Sequence, residues 1–177
     1  MAADQHGDQE KLHGLLKSFD TVALITHAMP EGGETSSPIT DVEVTSRPMQ
    51  VARLDENCDL WFLTDADTAK VYEIRTDPMV HVVAQDGREL FISIRGVAKV
   101  LQDKATIHGL WSKSYEVWFP DGPDTPGIRA LHVQAHEGQY WDNKGVNKIK
   151  YLFQAAKALV TNTTPKPDGD LHGTVKL

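Results

Sequence analysis

Three short segments carry residue types suited to gripping a phosphate: Ser46-Arg47-Pro48-Met49, Trp61-Phe62-Leu63-Thr64 and Thr68-Ala69-Lys70. An arginine on one strand, a hydroxyl at the end of the next and a lysine opening a helix make an anion cradle. The N–H groups and macrodipole of a helix start favour negative charge, and the two cations add charge-assisted hydrogen bonds. The implied ligand is a small phosphate ester. Taken singly, each cation has a plainer reading: Arg47 as the partner of Glu43 or Asp41, and Lys70 as a solvated helix residue. Pro48 removes a ladder donor from its strand, so it marks an edge, a bulge or a place where backbone faces a ligand. That suits a flat ring lying along the strand.

Other constellations are less specific. Trp118-Phe119 followed by Pro120-Asp121-Gly122-Pro123 serves equally for stacking on a ring or for sealing the end of a core, and Trp141 leaves the same two readings open. His132 and His136 share a face of an expected strand, but four residues along a strand span roughly 13 Å. With no HExxH pattern either, no metal site is expected. His27 near a strand end reads as a satisfied histidine or as part of a cleft wall. The single Cys58 forms neither an internal disulfide nor a thiolate cluster. GxGxxG and GxxxxGK[ST] are absent, which removes the usual dinucleotide and nucleotidase loops. A formal charge of -7 with 18 dispersed Lys and Arg argues against nucleic acid, so any phosphate must be held locally. No stretch reaches the roughly 18 to 20 apolar residues of a membrane helix, and the polar start MAADQHGDQEK lacks a signal peptide's apolar run; a cytoplasmic protein is expected.

The elements that would position these residues follow from periodicity. Leu12, Leu15, Leu16 and Phe19 are spaced for a short amphipathic helix over residues 9–19. A strand around Val22 to Ile25 precedes a Gly/Pro/Ser-rich loop from Met29 to Pro38. Residues 41–54 read as a strand, Asp55-Glu56-Asn57 as a turn and Leu60 to Leu63 as the next strand. A helix of two to three turns, capped by Asp65 or Asp67, then carries Val71 and Ile74 and stops before Pro78. Strands at 80–84 and 90–101 meet through Asp86-Gly87, and the second bends at Gly96. Asp103 caps a helix through Leu110 and Trp111, after which the Pro/Gly-rich WFPDGPDTPG is irregular. A strand over 128–141, a helix over 146–160 and a polar, flexible tail over 161–177 complete the chain. The class is mostly β with peripheral α helices: a six-stranded antiparallel barrel in one domain, residues 8–160.

The segments SRPM, LWFLTDADTAKVYEI, WSKSYEVWFPDGPD and the closing YWD resemble, in order over roughly residues 9–160, the motifs of FMN-binding general stress proteins within the pyridoxamine 5'-phosphate oxidase-like group. The resemblance implies an FMN-binding split β-barrel that works as a homodimer, with the cofactor near the subunit interface. It implies that Arg47, Pro48, Met49, Gln50 and Val51 back the isoalloxazine, that Thr64, Thr68 and Lys70 approach the ribityl phosphate, and that Ser46, Phe62 and Leu63 belong to the same cofactor-binding set. Arg47 and Lys70 become its ligands, and Trp118 and Phe119 reach toward the ring. FAD is a second cofactor option. The chain lacks the Trp- and Arg-rich C-terminal segment resembling the substrate grip of true pyridoxamine phosphate oxidases, so that activity is not expected. The function expected is a flavin-dependent oxidoreductase of unknown substrate. Its alternatives are a non-catalytic flavin-binding stress or sensor module and a haem-binding split barrel.

Overall fold

The computed structural model describes residues 2–28, 43–87, 89–142 and 172–177, and the side chains from residue 6 onward. Its elements are α1 (Ala2–Leu16), β1 (Thr21–Ala28), β2 (Glu43–Gln50), β3 (Arg53–Leu54), β4 (Leu60–Asp65), α2 (Ala69–Thr76), β5 (Met79–Gln85), β6 (Leu90–Leu101), α3 (Lys104–Leu110), a 3-10 helix (Lys113–Val117), β7 (Ile128–Asp142) and β8 (His172–Lys176). The strands form one antiparallel sheet in the order β2-β1-β5-β6-β7-β4-β3, with β8 added to β7. This curled half-barrel is the mostly β split-barrel class expected from the sequence.

Alternation gives the sheet an inner and an outer face. Val22, Leu24 and the fully buried Thr26 point inward from β1, and Leu90, Ile92 and Ile94 do so from β6, forming a core with Phe62, Val80, Val82, Leu131 and Val133. Leu12 and Leu16 of α1 close one end of this core, and Gly138 makes room for Leu12, since a Cβ there would lie 2.3 Å from Leu12 Cδ2. A second cluster, Leu63, Ile107, Leu110, Tyr115, Phe119, Ile128 and Ala130, packs α3 and the 3-10 helix against β4 and β7.

The six expected strands correspond to β1, β2, β4, β5, β6 and β7. The bend at Gly96 is a register shift between β6 and β7 in which His136 is the inserted residue. A Cβ on Gly96 would stand 2.3 Å from the Gln134 carbonyl oxygen, so the close approach itself requires glycine.

Three expectations change. The single strand over 41–54 is broken at Val51 and Ala52, whose N–H groups donate to the Asp20 and Trp61 carbonyls instead of continuing β2. Neither Asp65 nor Asp67 caps α2: Thr68 holds the N-cap position, and Asp65 instead accepts from the Asp67 N–H at 2.8 Å. Residues 172–176 of the polar tail form β8, where Val175 is buried and Gly173 lies against the Tyr140 ring. The loop Met29 to Pro38 and the helix over 146–160 lie outside the described residues.

Candidate functional site

The two ends of the sheet path are neighbours in the chain, because β2 passes to β3 through Val51 and Ala52 alone. The sheet therefore curls until β2 faces β4 without pairing to it, and a cleft of about 590 Å³ opens along this seam. Its walls are β2 (Arg47 to Gln50) with Thr21, the end of β4 (Leu63, Thr64, Asp65), the start of α2 (Thr68, Lys70), and Tyr115, Trp118 and Phe119. The volume lies in the range of small-molecule sites.

The cationic end is built by strand geometry. Arg47 stands directly opposite Leu24 and Thr45 opposite Thr26, so both side chains leave β2 on the face that Leu24 and Thr26 turn inward. An inward arginine needs inward partners. Its Nη2 donates to Glu73 Oε2 and to Thr45 Oγ1, each at 2.7 Å, and its Nη1 donates to Thr26 Oγ1, which in turn donates to Glu73 Oε2. Burial opposes ionisation of Glu73, but the hydrogen bonds from Thr26 and Arg47 and the guanidinium charge outweigh it, holding the carboxyl below its ordinary value.

Lys70, one turn earlier on α2, makes no ion pair among the described residues. Partial burial, then the Arg47 charge, hold its ammonium below the ordinary lysine value, and Asp65 and Glu73 offset this only in part. Two mutually repelling cations at one helix start form a place where an anion relieves both. The approach to α2 is rigid: Thr68 Oγ1 donates to the Asp65 carbonyl at 2.9 Å, and the Ala66 N–H donates to the Gly127 carbonyl at 2.8 Å.

The aromatic end is clamped to β2. Gln50 Nε2 donates to Ser114 Oγ at 2.6 Å, and the Tyr115 hydroxyl donates to the Gln50 carbonyl at 3.3 Å. Burial pushes the Tyr115 phenol up to about 12, so it remains a proton-bearing donor near neutrality. This anchor fixes the segment carrying Trp118 and Phe119, whose roles divide: Phe119 is 7% exposed in the second cluster, whereas Trp118 is 72% exposed at the mouth of the cleft. Trp141 lies outside the core, against Phe91 and His172.

Of the residues singled out from the sequence, Arg47, Pro48, Met49, Gln50, Leu63, Thr64, Thr68, Lys70, Trp118 and Phe119 line the cleft together. Ser46, Val51 and Phe62 do not line it. Ser46 stands on the opposite face of β2 in a shallower groove with Pro48, Val51 packs against the main core, and Phe62 is fully buried in it. Arg47 pairs with Glu73 rather than with Glu43, one of the two partners its plainer reading offered; the other, Asp41, lies outside the described residues. Thr21, Asp65, Glu73 and Tyr115 were missed. Glu73 had a signal, since it lies three residues after Lys70 and so on the same side of α2. His132 is a satisfied histidine: its Nε2 lies 2.9 Å from Asp59 Oδ2 and its ring stacks on Trp61 at 4.1 Å. His27 likewise pairs with Asp77 at 2.9 Å. Burial, reinforced by the Asp59 charge, raises the Cys58 thiol to about 12, which leaves it unreactive.

A half-barrel whose open seam carries two cations and an aromatic lip defines a split-barrel protein with a cleft along that seam. A sequence model of the family described as pyridoxamine 5'-phosphate oxidase like matches residues 7–166, and the chain belongs to that family. Solved structures share the fold. One is a Clostridium acetobutylicum protein related to general stress protein 26 of Bacillus subtilis, at 21% identity and TM-score 0.61, covering 77% of this chain and 89% of that one. General stress protein 26 of Bacillus anthracis aligns at 20% identity and TM-score 0.59 over 75% and 92% of the two chains. The general stress FMN/FAD binding protein of Xanthomonas citri aligns at 26% identity and TM-score 0.58 over 78% and 90%. Comparison with curated proteins returns no match. No helix among the described residues is long and apolar enough to cross a membrane.

Proposed function

We propose that the seam cleft binds FMN and that the protein is a flavin-dependent oxidoreductase of the general stress type. The observation carrying this reading is the meeting of Lys70, Arg47 and the start of α2 at one end of a cleft whose other end is aromatic. A flavin mononucleotide has that polarity, with a dianion at one end and a flat ring at the other. Lys70, Thr68 and the free donors of Arg47 would hold the phosphate, and the ring would lie along Pro48 to Gln50 toward Trp118. The description of the Xanthomonas citri neighbour as an FMN/FAD binding protein supports the same ligand. When bound, FMN supplies the electron or hydride transfer; the chain's own residues bind it, orient it and shield one face.

The test is titration of the purified, flavin-free protein with FMN, FAD and riboflavin, followed by absorption and fluorescence. A one-to-one yellow complex that binds FMN more tightly than riboflavin is expected. Equal affinities would refute the phosphate grip, and a Soret band in the isolated protein would point to haem. A second reading is flavin storage or sensing without turnover. Failure of NAD(P)H to reduce the bound flavin with any common acceptor would favour it.

We also infer a homodimer that brings the cleft near the subunit interface. Its support is the groove of about 440 Å³ beside the cleft, where Ala23, Pro48, Val83 and Phe91 are joined by the polar Thr21, Ser46, Arg47 and Gln85. A monomer in sedimentation at micromolar concentration would contradict it.

A further inference from the structure

The Arg47 guanidinium does not face the cleft as a free charge. Its Nη2 lies 2.7 Å from Glu73 Oε2, with Arg47 20% and Glu73 10% exposed. The carboxylate also accepts from the fully buried Thr26, and Thr45 takes a further Arg47 hydrogen bond. Three of the five guanidinium N–H donors are thus committed to β1, β2 and α2, while Arg47 also lines the cleft. Arg47 and Lys70 bring two positive charges to this end. Asp65 on the cleft wall and Glu73 behind Arg47 bring two negative ones, so the formal charges cancel before any ligand arrives.

We propose that Glu73 is a positioning residue that also sets the anion affinity of the cleft. It latches the guanidinium in a fixed pose and, as a permanent counter-ion, holds the attraction for a phosphate dianion below what two free cations would give. This rests on the FMN reading above and extends it to how strongly the phosphate, as distinct from the ring, contributes to binding. The two roles separate by substitution. Glu73→Gln keeps an oxygen acceptor for Thr26 and Arg47 while removing the charge. Glu73→Ala removes the charge and the acceptor together, leaving Arg47 unlatched.

The measurement is the ratio of riboflavin Kd to FMN Kd in the full-length wild type and in each variant, by quenching of flavin fluorescence at several salt concentrations. Riboflavin shares the ring and lacks the phosphate, so the ratio isolates the anion. Glu73→Gln is expected to raise the ratio about tenfold at low salt and to steepen its fall with added salt. Glu73→Ala is expected to raise it by less, because the freed arginine no longer holds its pose. A ratio in Glu73→Gln equal to that of wild type, or parallel loss of both ligands, overturns the proposal. Should Glu73→Gln fail to fold, a ratio in Glu73→Ala at or below the wild-type value overturns it equally. If wild-type protein binds neither flavin, the FMN reading falls and takes this inference with it. If wild type prefers FMN and the ratio does not move, the inference alone is lost.

Discussion

Lys70→Ala should separate ligand binding from folding more cleanly than any other change in the cleft. The structure gives Lys70 no ion pair among the described residues, and its ammonium is already disfavoured by burial and by Arg47. Removing it deletes a repulsion from the unliganded protein, so stability in urea should be unchanged or slightly higher. The phosphate, by contrast, should lose one charged hydrogen bond, of about 1.5–3 kcal/mol. At roughly 1.4 kcal/mol per tenfold, that is a loss of about 10- to 150-fold in FMN affinity. Riboflavin binding should hardly move. Fluorescence titration with both ligands, alongside urea unfolding of the flavin-free protein, gives all three numbers. Equal losses of FMN and riboflavin would show that Lys70 shapes the cleft rather than gripping the phosphate. A drop in unliganded stability above about 1 kcal/mol, the size of an ordinary net hydrogen bond, would show an overlooked structural role.

Arg47→Ala should behave oppositely, lowering unliganded stability by about 1–3 kcal/mol because it removes the counter-charge of the nearly buried Glu73 while leaving it the hydrogen bond from Thr26. Since the Glu73 carboxyl lies below its ordinary value of 4.5, the pair's contribution is present above that pH and is lost as pH falls through the lowered value. Urea unfolding should therefore show a flatter acid limb in Arg47→Ala than in wild type, and parallel limbs would contradict the pairing. Gly96→Ala should cost about 1–3 kcal/mol without touching the ratio of FMN to riboflavin affinity, because its Cβ meets the Gln134 backbone far from the cleft. A neutral effect on the unfolding midpoint would mean that the bulge can relax.

What the sequence disclosed depended on whether a feature is local. Period-two alternation located the long strands, and the Asp103 cap was readable because its carboxylate accepts from an N–H three residues on, at 2.8 Å from Thr106. Arg47 and Lys70 stood out by type and setting. Glu73 was harder, since its partners Thr26, Thr45 and Arg47 come from two other elements and only the register of β1 on β2 brings them inward together. β8 was missed because His-Gly-Thr-Val-Lys offers one large apolar residue, and its glycine fits only against a Tyr140 ring that no local pattern announces. The break after Gln50 was hidden by the β-branched Val51. There, capture of two N–H groups by Asp20 and Trp61 overrides propensity.

The position of the cleft follows from a difficulty that a curled sheet cannot avoid. Among the described residues β2 ends the hydrogen-bonded path, and an unpaired strand edge invites association with another chain. The protein blunts that edge with Pro48, which has no N–H to offer, and docks the 3-10 helix on its end through Tyr115 and Ser114. The stretch from Arg47 to Gln50 lines the cleft, facing the start of α2 across the seam. The flat, phosphate-bearing ligand proposed above would cover that edge without needing a complete ladder, and its charge would offset the repulsion between Arg47 and Lys70. A local pair of cations can therefore persist in a chain of net charge -7, because Glu73 and Asp65 balance Arg47 and Lys70 within the same end of the cleft.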